Sequence, residues 1–237
     1  MKIAIYGSRR QDAHLDKLDA FLRSLDDAGH DVVMHPKLYR YLSGLIPGSL
    51  RCVRRVMADG AEAGADMAVS IGGDGTFLRT AEWIGQASTP IAGVNTGHLG
   101  YLTAVGIEGI CDIVPAFING LLSVETRSLI QIVSPKLDTE PYALNEVALL
   151  KSETAAMISV RATLDGELLA DYRVDGLLIS TPTGSTAYNL SVGGPIVQPS
   201  APVWIVSPVA AHSLSMRPLV VNDSSELTLT AGGRAPH

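Results

Sequence analysis

One aspartate set among glycines, Asp74 in the run IGGDGT, has the strongest chemical character in this sequence. Gly72, Gly73 and Gly75 lack a Cβ, so the backbone there can bend sharply and let a ligand lie against it. A turn of this kind that runs into a helix offers free N–H groups to phosphate. A carboxylate in such a place repels phosphate, so Asp74 needs a role of its own, either holding a metal or accepting a proton from a hydroxyl. The plain alternative is a tight turn in which Asp74 only caps the helix.

Other polar groups gather in a few short strings. Asn95, Thr96 and His98 lie in NTGHLGY, which ends at Tyr101. Asn145 and Glu146 interrupt the apolar run YALNEVALL, where an unpaired carboxylate is costly to bury and so either faces solvent or binds something. Asp175 precedes GLLISTPTGSTAYNLSVGG, in which the four hydroxyl residues Thr181, Thr183, Ser185 and Thr186 surround Gly184, Tyr188 follows and Ser191 extends the run. Hydroxyls and turn amides bind phosphates or sugar hydroxyls without cationic charge. Arg79, on the helix after the turn, and His212, in AHSL, are further candidates. Each histidine has a structural alternative as a turn or capped residue.

The elements that must position these groups follow from periodicity. Met67, Ala68, Val69 and Ile71 form a short apolar run that reads as a doubly covered parallel strand, followed by a helix from Thr76 to about Gln86. Lys2 to Tyr6 reads as a first strand. Arg9 and Arg10 in its exit loop are either phosphate contacts or solvated charges. Asp12 to Ala28 reads as a helix with Leu15, Leu18, Leu22 and Leu25 on one face and Gly29 as its stop, and Asp31 to Met34 as a second strand. Cys52 to Ala63 is expected to be helical, and Pro90 to Val94 to be a strand. After about Leu102 short β-branched segments dominate. Strands are expected over Thr126–Val133, Tyr142–Leu150, Ile158–Leu164, Glu167–Tyr172, Gly176–Thr181, Val203–Ser207, Leu219–Val221 and Glu226–Thr230. Asp165-Gly166 is a strong hairpin signal. The expected architecture is an α/β domain with a parallel sheet over 1–102 and a β-rich, antiparallel, sandwich-like domain over 103–237, with the site in a cleft between them.

Composition narrows the partners. The 237 residues are 46% hydrophobic with a formal net charge of −6, which argues against nucleic acid as the main partner. Apolar runs are too short to span a membrane, and the N-terminus is too short in its apolar stretch for a signal peptide. Cys52 and Cys111 show no metal or disulfide spacing, and the six histidines are scattered, so no metal ligands are assigned. A cytoplasmic protein is expected.

In order and spacing, IGGDGT, GVNTGHLGY, ALNEVA and DGLLISTPTGSTAYNLSVGGPI resemble the NAD kinase family, and SPVAAHSLSMRPLVV looks like its next block. GGDG alone is shared with lipid and sugar kinases; STPTGSTAY with NTGHLG is far more specific. The resemblance implies transfer of the ATP γ-phosphoryl group to the adenosine 2′-hydroxyl of NAD, with a divalent metal (Mg2+), in a homodimer or homotetramer. It implies Asp74 as the catalytic carboxylate, with Gly73 and Gly75 against the ligand. Asn145 and Glu146 would hold ribose hydroxyls and the adenine side. Thr183, Thr186, Ala187 and Tyr188 would line the adenine and nicotinamide pockets, with Ser191 beyond them and Asp175 on the carboxamide. Asn95, His98 and Tyr101 would border the site. It also implies strands beyond Thr230, where this sequence ends in AGGRAPH, so the second domain is expected to be incomplete. The alternatives are another GGDG-type kinase, acting on lipid or sugar, and a non-catalytic dinucleotide sensor.

Overall fold

The computed structural model describes residues 1–8, 11–97, 100–152, 157–213 and 215–232. Arg9 and Arg10 lie outside the described residues. By contact density the chain divides into Met1–Val124 and Glu125–His237.

The first unit opens with strand β1 (Lys2–Gly7), helix α1 (Leu15–Asp27) and strand β2 (Asp31–Met34). Leu18, Phe21, Leu22 and Leu25 of α1 are buried, each contributing about 2 kcal/mol on removal from water. Gly29, at φ +68°, ends the turn after α1 in a conformation that favours glycine. Helix α2 (Pro36–Ser43) and strand β3 (Val53–Val56) follow. The helix expected over Cys52–Ala63 is therefore absent: Cys52 ends the 3-10 turn Pro47–Cys52, Val53–Val56 pairs in parallel with β2, and Ala61–Ala63 forms a second short 3-10 turn. β3 is the outer strand, and its two arginines are exposed, a guard against further pairing. Strand β4 (Met67–Ile71), helix α3 (Asp74–Ile84), strand β5 (Ile91–Asn95), the short strand β6 (Val105–Gly106) and helix α4 (Ile113–Ile118) complete the unit.

The six strands run parallel in the order β3-β2-β1-β4-β5-β6. In such a sheet the strand order reverses between β1 and β4, and ligands bind beyond the carboxyl ends at that point. The GGDG turn leaves β4 there. Every residue of β4 is buried. Its one polar side chain, Ser70, accepts from Thr80 Oγ1 at 2.9 Å, which sets α3 on the sheet. Ile107, Ile110, Ile113 and Val114 pack into the same core as Ile3, Ile5 and Val69, so the segment after Leu102 is still helical and belongs to this unit's core.

The second unit is antiparallel. Strands β7 (Ile130–Gln131) and β8 (Tyr142–Ala143) form a small ribbon, and only Ile130 and Gln131 of the expected Thr126–Val133 strand pair. Strands β9 (Glu146–Leu150), β10 (Ile158–Leu164), β11 (Glu167–Val174) and β12 (Gly176–Ser180) lead into helix α5 (Tyr188–Ser191). Strands β13 (Val203–Val209), β14 (Leu219–Asn222) and β15 (Leu227–Gly232) follow. Asp165 and Gly166 both take positive φ, +51° and +85°, as the two-residue hairpin turn requires. One sheet runs β11-β10-β15 and the other β14-β13-β12-β9. Val160, Ala162 and Tyr172 of the first share a core with Leu177, Ile179 and Val206 of the second. Among the described residues no helix is long and apolar enough to cross a membrane.

Candidate functional site

In the first unit the site is built on the β4–α3 turn. Gly72 takes φ +151°, and a Cβ there would overlap the Thr76 side chain, so the fold itself demands glycine. At Gly73 and Gly75 a Cβ would meet open space. Their lack of a side chain is not required by packing; it suits the approach of a ligand. Gly73 is the N-cap of α3 and Asp74 its first residue, so the opening amides of the helix have no intrahelical partners.

Asp74 does not cap that helix. Its Oδ2 accepts from the Tyr101 amide at 2.7 Å, and its Oδ1 from the Leu102 amide at 3.1 Å and the Thr103 hydroxyl at 3.0 Å. A Cβ on Gly100 would overlap the carboxylate, so Gly100 is what lets the loop close over it. Gly93 in β5 makes room in turn: a Cβ there would come within 2.8 Å of the Leu102 carbonyl oxygen. Asn95, at the end of β5, is 4% exposed. Its Oδ1 accepts from the Gly97 amide at 2.7 Å, and its Nδ2 donates to Thr103 Oγ1 at 2.8 Å. The β4–α3 turn and the loop after β5 are therefore joined through hydrogen bonds. The Tyr101 ring is exposed, and so is Arg79 further along α3. His98 lies outside the described residues.

Beside Asn95, a small cavity of about 320 Å³ is lined by His14, Asn95, Thr96, Gly97 and residues 106–108. His14 Nε2 lies 3.1 Å from the Thr96 carbonyl oxygen and ties α1's entrance to this loop.

In the second unit β9 pairs with β12 so that Ser180 stands opposite Glu146. That register brings the ALNEVA and STPTGSTAY strings together. The Thr181 amide donates to the Asn145 carbonyl at 2.8 Å, and the Thr181 hydroxyl bonds the Leu144 carbonyl while accepting from the Gly184 amide at 3.1 Å. A Cβ on Gly184 would overlap the Asn145 backbone, so this glycine is a packing requirement. Asn189 is fully buried and structural: Nδ2 donates to the Ser185 and Pro195 carbonyls, and Oδ1 accepts from Ser207 at 2.6 Å.

Two polar atoms in this unit stand out. Glu146 Oε2 and Thr183 Oγ1 are buried without a hydrogen-bond partner. Burial pushes the Glu146 carboxyl above its ordinary value. Thr186 and Ser191 are exposed, Ala187 is half-buried, and Tyr188 is 39% exposed. Asp175 Oδ1 pairs with Lys151 Nζ at 2.8 Å, a partner the sequence does not suggest. His212 is exposed rather than a core residue, and its amide donates to the Arg173 carbonyl. Sequence reasoning misses Gly100 and Thr103. Gly100 stands inside the NTGHLGY string; Thr103 follows it with no motif signal of its own.

Two family models match the chain: the ATP-NAD kinase N-terminal domain over residues 18–122 and the ATP-NAD kinase C-terminal domain over residues 144–235. A protein named NAD kinase from Porphyromonas gingivalis is 39% identical over 234 residues, covering 99% of this chain and 81% of that protein. One of the same name from Bacteroides fragilis is 39% identical over 237 residues with the same coverage. Among solved structures, yeast NADH kinase complexed with NADH shares the fold at a TM-score of 0.81 and 23% identity, over 98% of this chain and 72% of that one. An NAD kinase from Archaeoglobus fulgidus in complex with ATP matches at a TM-score of 0.71 and 26% identity, over 98% and 81% of the two chains.

Proposed function

We propose how the chemistry is done from one premise: the chain belongs to the ATP-NAD kinase family. It is an NAD kinase, a phosphotransferase that uses ATP. In our reading Asp74 takes the proton from the adenosine 2′-hydroxyl of NAD. The freed oxygen attacks the ATP γ-phosphorus as the bond to the leaving ADP breaks. The observation that carries this reading is the carboxylate's fixed orientation, with three donors on two oxygens. Phosphoryl transfer needs a positioned base and charge neutralisation more than covalent help from protein.

Gly73 and Gly75 would admit the phosphates against the backbone, supported by the open space over both. Asn145 and Glu146 would hold the ribose hydroxyls and the adenine side of NAD, and Thr183 the same ligand. The unpartnered Glu146 Oε2 and Thr183 Oγ1 support this assignment, since a ligand's donors would satisfy them. Thr186, Ala187, Tyr188 and Ser191 would line the rest of that subsite, and in the first unit Asn95, His98 and Tyr101 would border Asp74. Arg79 and His212 are both exposed, and each would act at the margin of its own unit's site. For Asp175 to hold the carboxamide, it must share or release Lys151.

Among the described residues no three His, Cys, Asp or Glu side chains gather into a metal cage. Magnesium would enter with the ATP phosphates, as part of the MgATP substrate. The two free thiols, Cys52 and Cys111, support a reducing, cytoplasmic setting. Association into a homodimer or homotetramer is part of the same reading, supported by the exposed Leu219 and Val220 on the outer strand β14. The deciding assay is NAD with ATP and Mg2+, read as NADP. Asp74→Asn should lower NADP formation about a thousandfold with NAD binding by calorimetry within about threefold; full activity in that variant would sink the assignment.

A further inference from the structure

We propose that Thr103 is a positioning residue that fixes which oxygen of Asp74 meets the substrate hydroxyl. The proposal rests on the reading of Asp74 as the base. Thr103 is fully buried and lies 29 residues from Asp74 in sequence. The direction of every hydrogen bond in the chain leading to it is forced. The Gly97 amide can only donate, so the Asn95 atom it meets at 2.7 Å is the carbonyl oxygen Oδ1. That fixes the Asn95 amide with Nδ2 toward Thr103, to which it donates at 2.8 Å. A hydroxyl has one proton. Having accepted from Asn95, Thr103 Oγ1 gives that proton to Asp74 Oδ1 at 3.0 Å.

The consequence is asymmetry at the carboxylate. Each carboxylate oxygen accepts about two hydrogen bonds. Oδ1 already takes two, from Thr103 and from the Leu102 amide. Oδ2 takes one, from the Tyr101 amide, and so keeps an accepting site. Oδ2 is therefore the oxygen that receives the hydroxyl proton. Thr103 holds the carboxylate against rotation, which would exchange the two oxygens or turn a filled one outward. Without the hydroxyl, Oδ1 retains only the Leu102 amide, and the ring of constraints opens on its most buried side.

The test is steady-state NADP formation by four full-length chains, below the melting point of each: Thr103→Val, Thr103→Ser, Asp74→Asn and the Asp74→Asn/Thr103→Val double variant. Thr103→Val should lower kcat about ten- to a hundredfold, the scale of a misaligned reacting group, with KM for NAD and ATP within about threefold. Thr103→Ser, which keeps the proton, should recover most of the loss. In the Asp74→Asn background, Thr103→Val should cost nothing further, because its effect passes through the carboxylate. A Thr103→Val kcat within about twofold of wild type overturns the proposal. So does an equal loss in both backgrounds, or a failure of serine to rescue; each marks a purely structural threonine. Should Asp74→Asn keep full activity, the base assignment itself falls and the proposal with it, and the single Asp74 variant alone reveals that case.

Discussion

Asp74 of the first unit and Glu146 of the second are both half-buried carboxylates next to a glycine-bearing turn, and the protein treats them in opposite ways. Asp74 has three donors supplied by its own chain. Glu146 has an oxygen, Oε2, that is buried with no partner, and Thr183 in the neighbouring turn has a hydroxyl in the same state. Orphaned polar atoms exist elsewhere, the Trp83 and Trp204 ring nitrogens and the Tyr172 hydroxyl among them. Those three are single polar tips on large apolar side chains, and Arg127, whose Nη1 is also unpartnered, is paired with Glu125 through Nη2; Glu146 is a carboxylate with no ion pair among the described residues. A group that must react benefits from being held before substrate arrives, since none of the binding energy then goes to ordering it. A group that must bind benefits from lacking internal partners, because a ligand competes with nothing for it. On the proposed roles, the pair sets a preorganised centre, Asp74, against a receptive one, Glu146.

The largest effect on the Asp74 centre is expected at Gly100. A Cβ there overlaps the Asp74 carboxylate, so Gly100→Ala must displace either that group or the loop whose amides hold it. We expect NADP formation to fall about a hundredfold with calorimetric NAD affinity little changed. If the alanine variant keeps its turnover, orientation of Asp74 by this loop does not matter and Asp74 is no preorganised centre.

Gly100 also shows what can be read from the sequence. The β4 strand, the glycine turn and α3 are legible because an apolar run, glycine punctuation and a helical period all fall within a few residues. The Asp165-Gly166 hairpin is legible for the same reason, its chemistry being local. Val53–Val56 is not: with one half-buried and three exposed positions, an outer parallel strand shows no alternation to read. Nor is the helical segment after Leu102, whose Ile110 and Ile113 gain meaning only beside Ile3 and Val69. Glycine roles are legible only as possibilities. Gly60 is kept by Trp83, whose ring a Cβ would meet at 2.6 Å, while Gly73 and Gly75 are kept by nothing in the fold. The candidate site is largely visible as motifs; its support, Thr103 to Asp74, depends on a contact that spacing does not reveal.

Glu146 sharpens the receptive half through pH. Burial raises its carboxyl above the ordinary value in the folded chain, so the folded state binds the proton more tightly than the unfolded one. The stability this gives is fully present below about pH 4, the unfolded range. It is lost as pH rises through the raised folded value. Glu146→Gln removes that loss. The variant should therefore melt higher than wild type near pH 7, and the difference should vanish near pH 4. Its KM for NAD should rise about tenfold, the loss of one charge-assisted hydrogen bond. A melting difference independent of pH would show that the carboxyl's ionisation is already compensated.

The smallest expected effect separates two threonines. Thr183, 3% exposed, buries a hydroxyl with no partner, while Thr103 buries one with two. Valine has nearly the same shape as threonine but no hydroxyl. At Thr103 the exchange strips Asn95 of an acceptor and Asp74 of a donor, costing about 1–3 kcal/mol. At Thr183 the exchange removes a group that gave up its water and gained nothing, so Thr183→Val should leave the melting temperature of the ligand-free protein equal or higher. In saturating NAD the order should reverse, because the wild-type hydroxyl then has a donor or acceptor to meet and the valine does not; KM for NAD should rise about threefold. Melting curves of both proteins with and without NAD read this directly. If Thr183→Val is destabilised without NAD as much as Thr103→Val, the hydroxyl is already satisfied inside the protein and the second unit is as preorganised as the first.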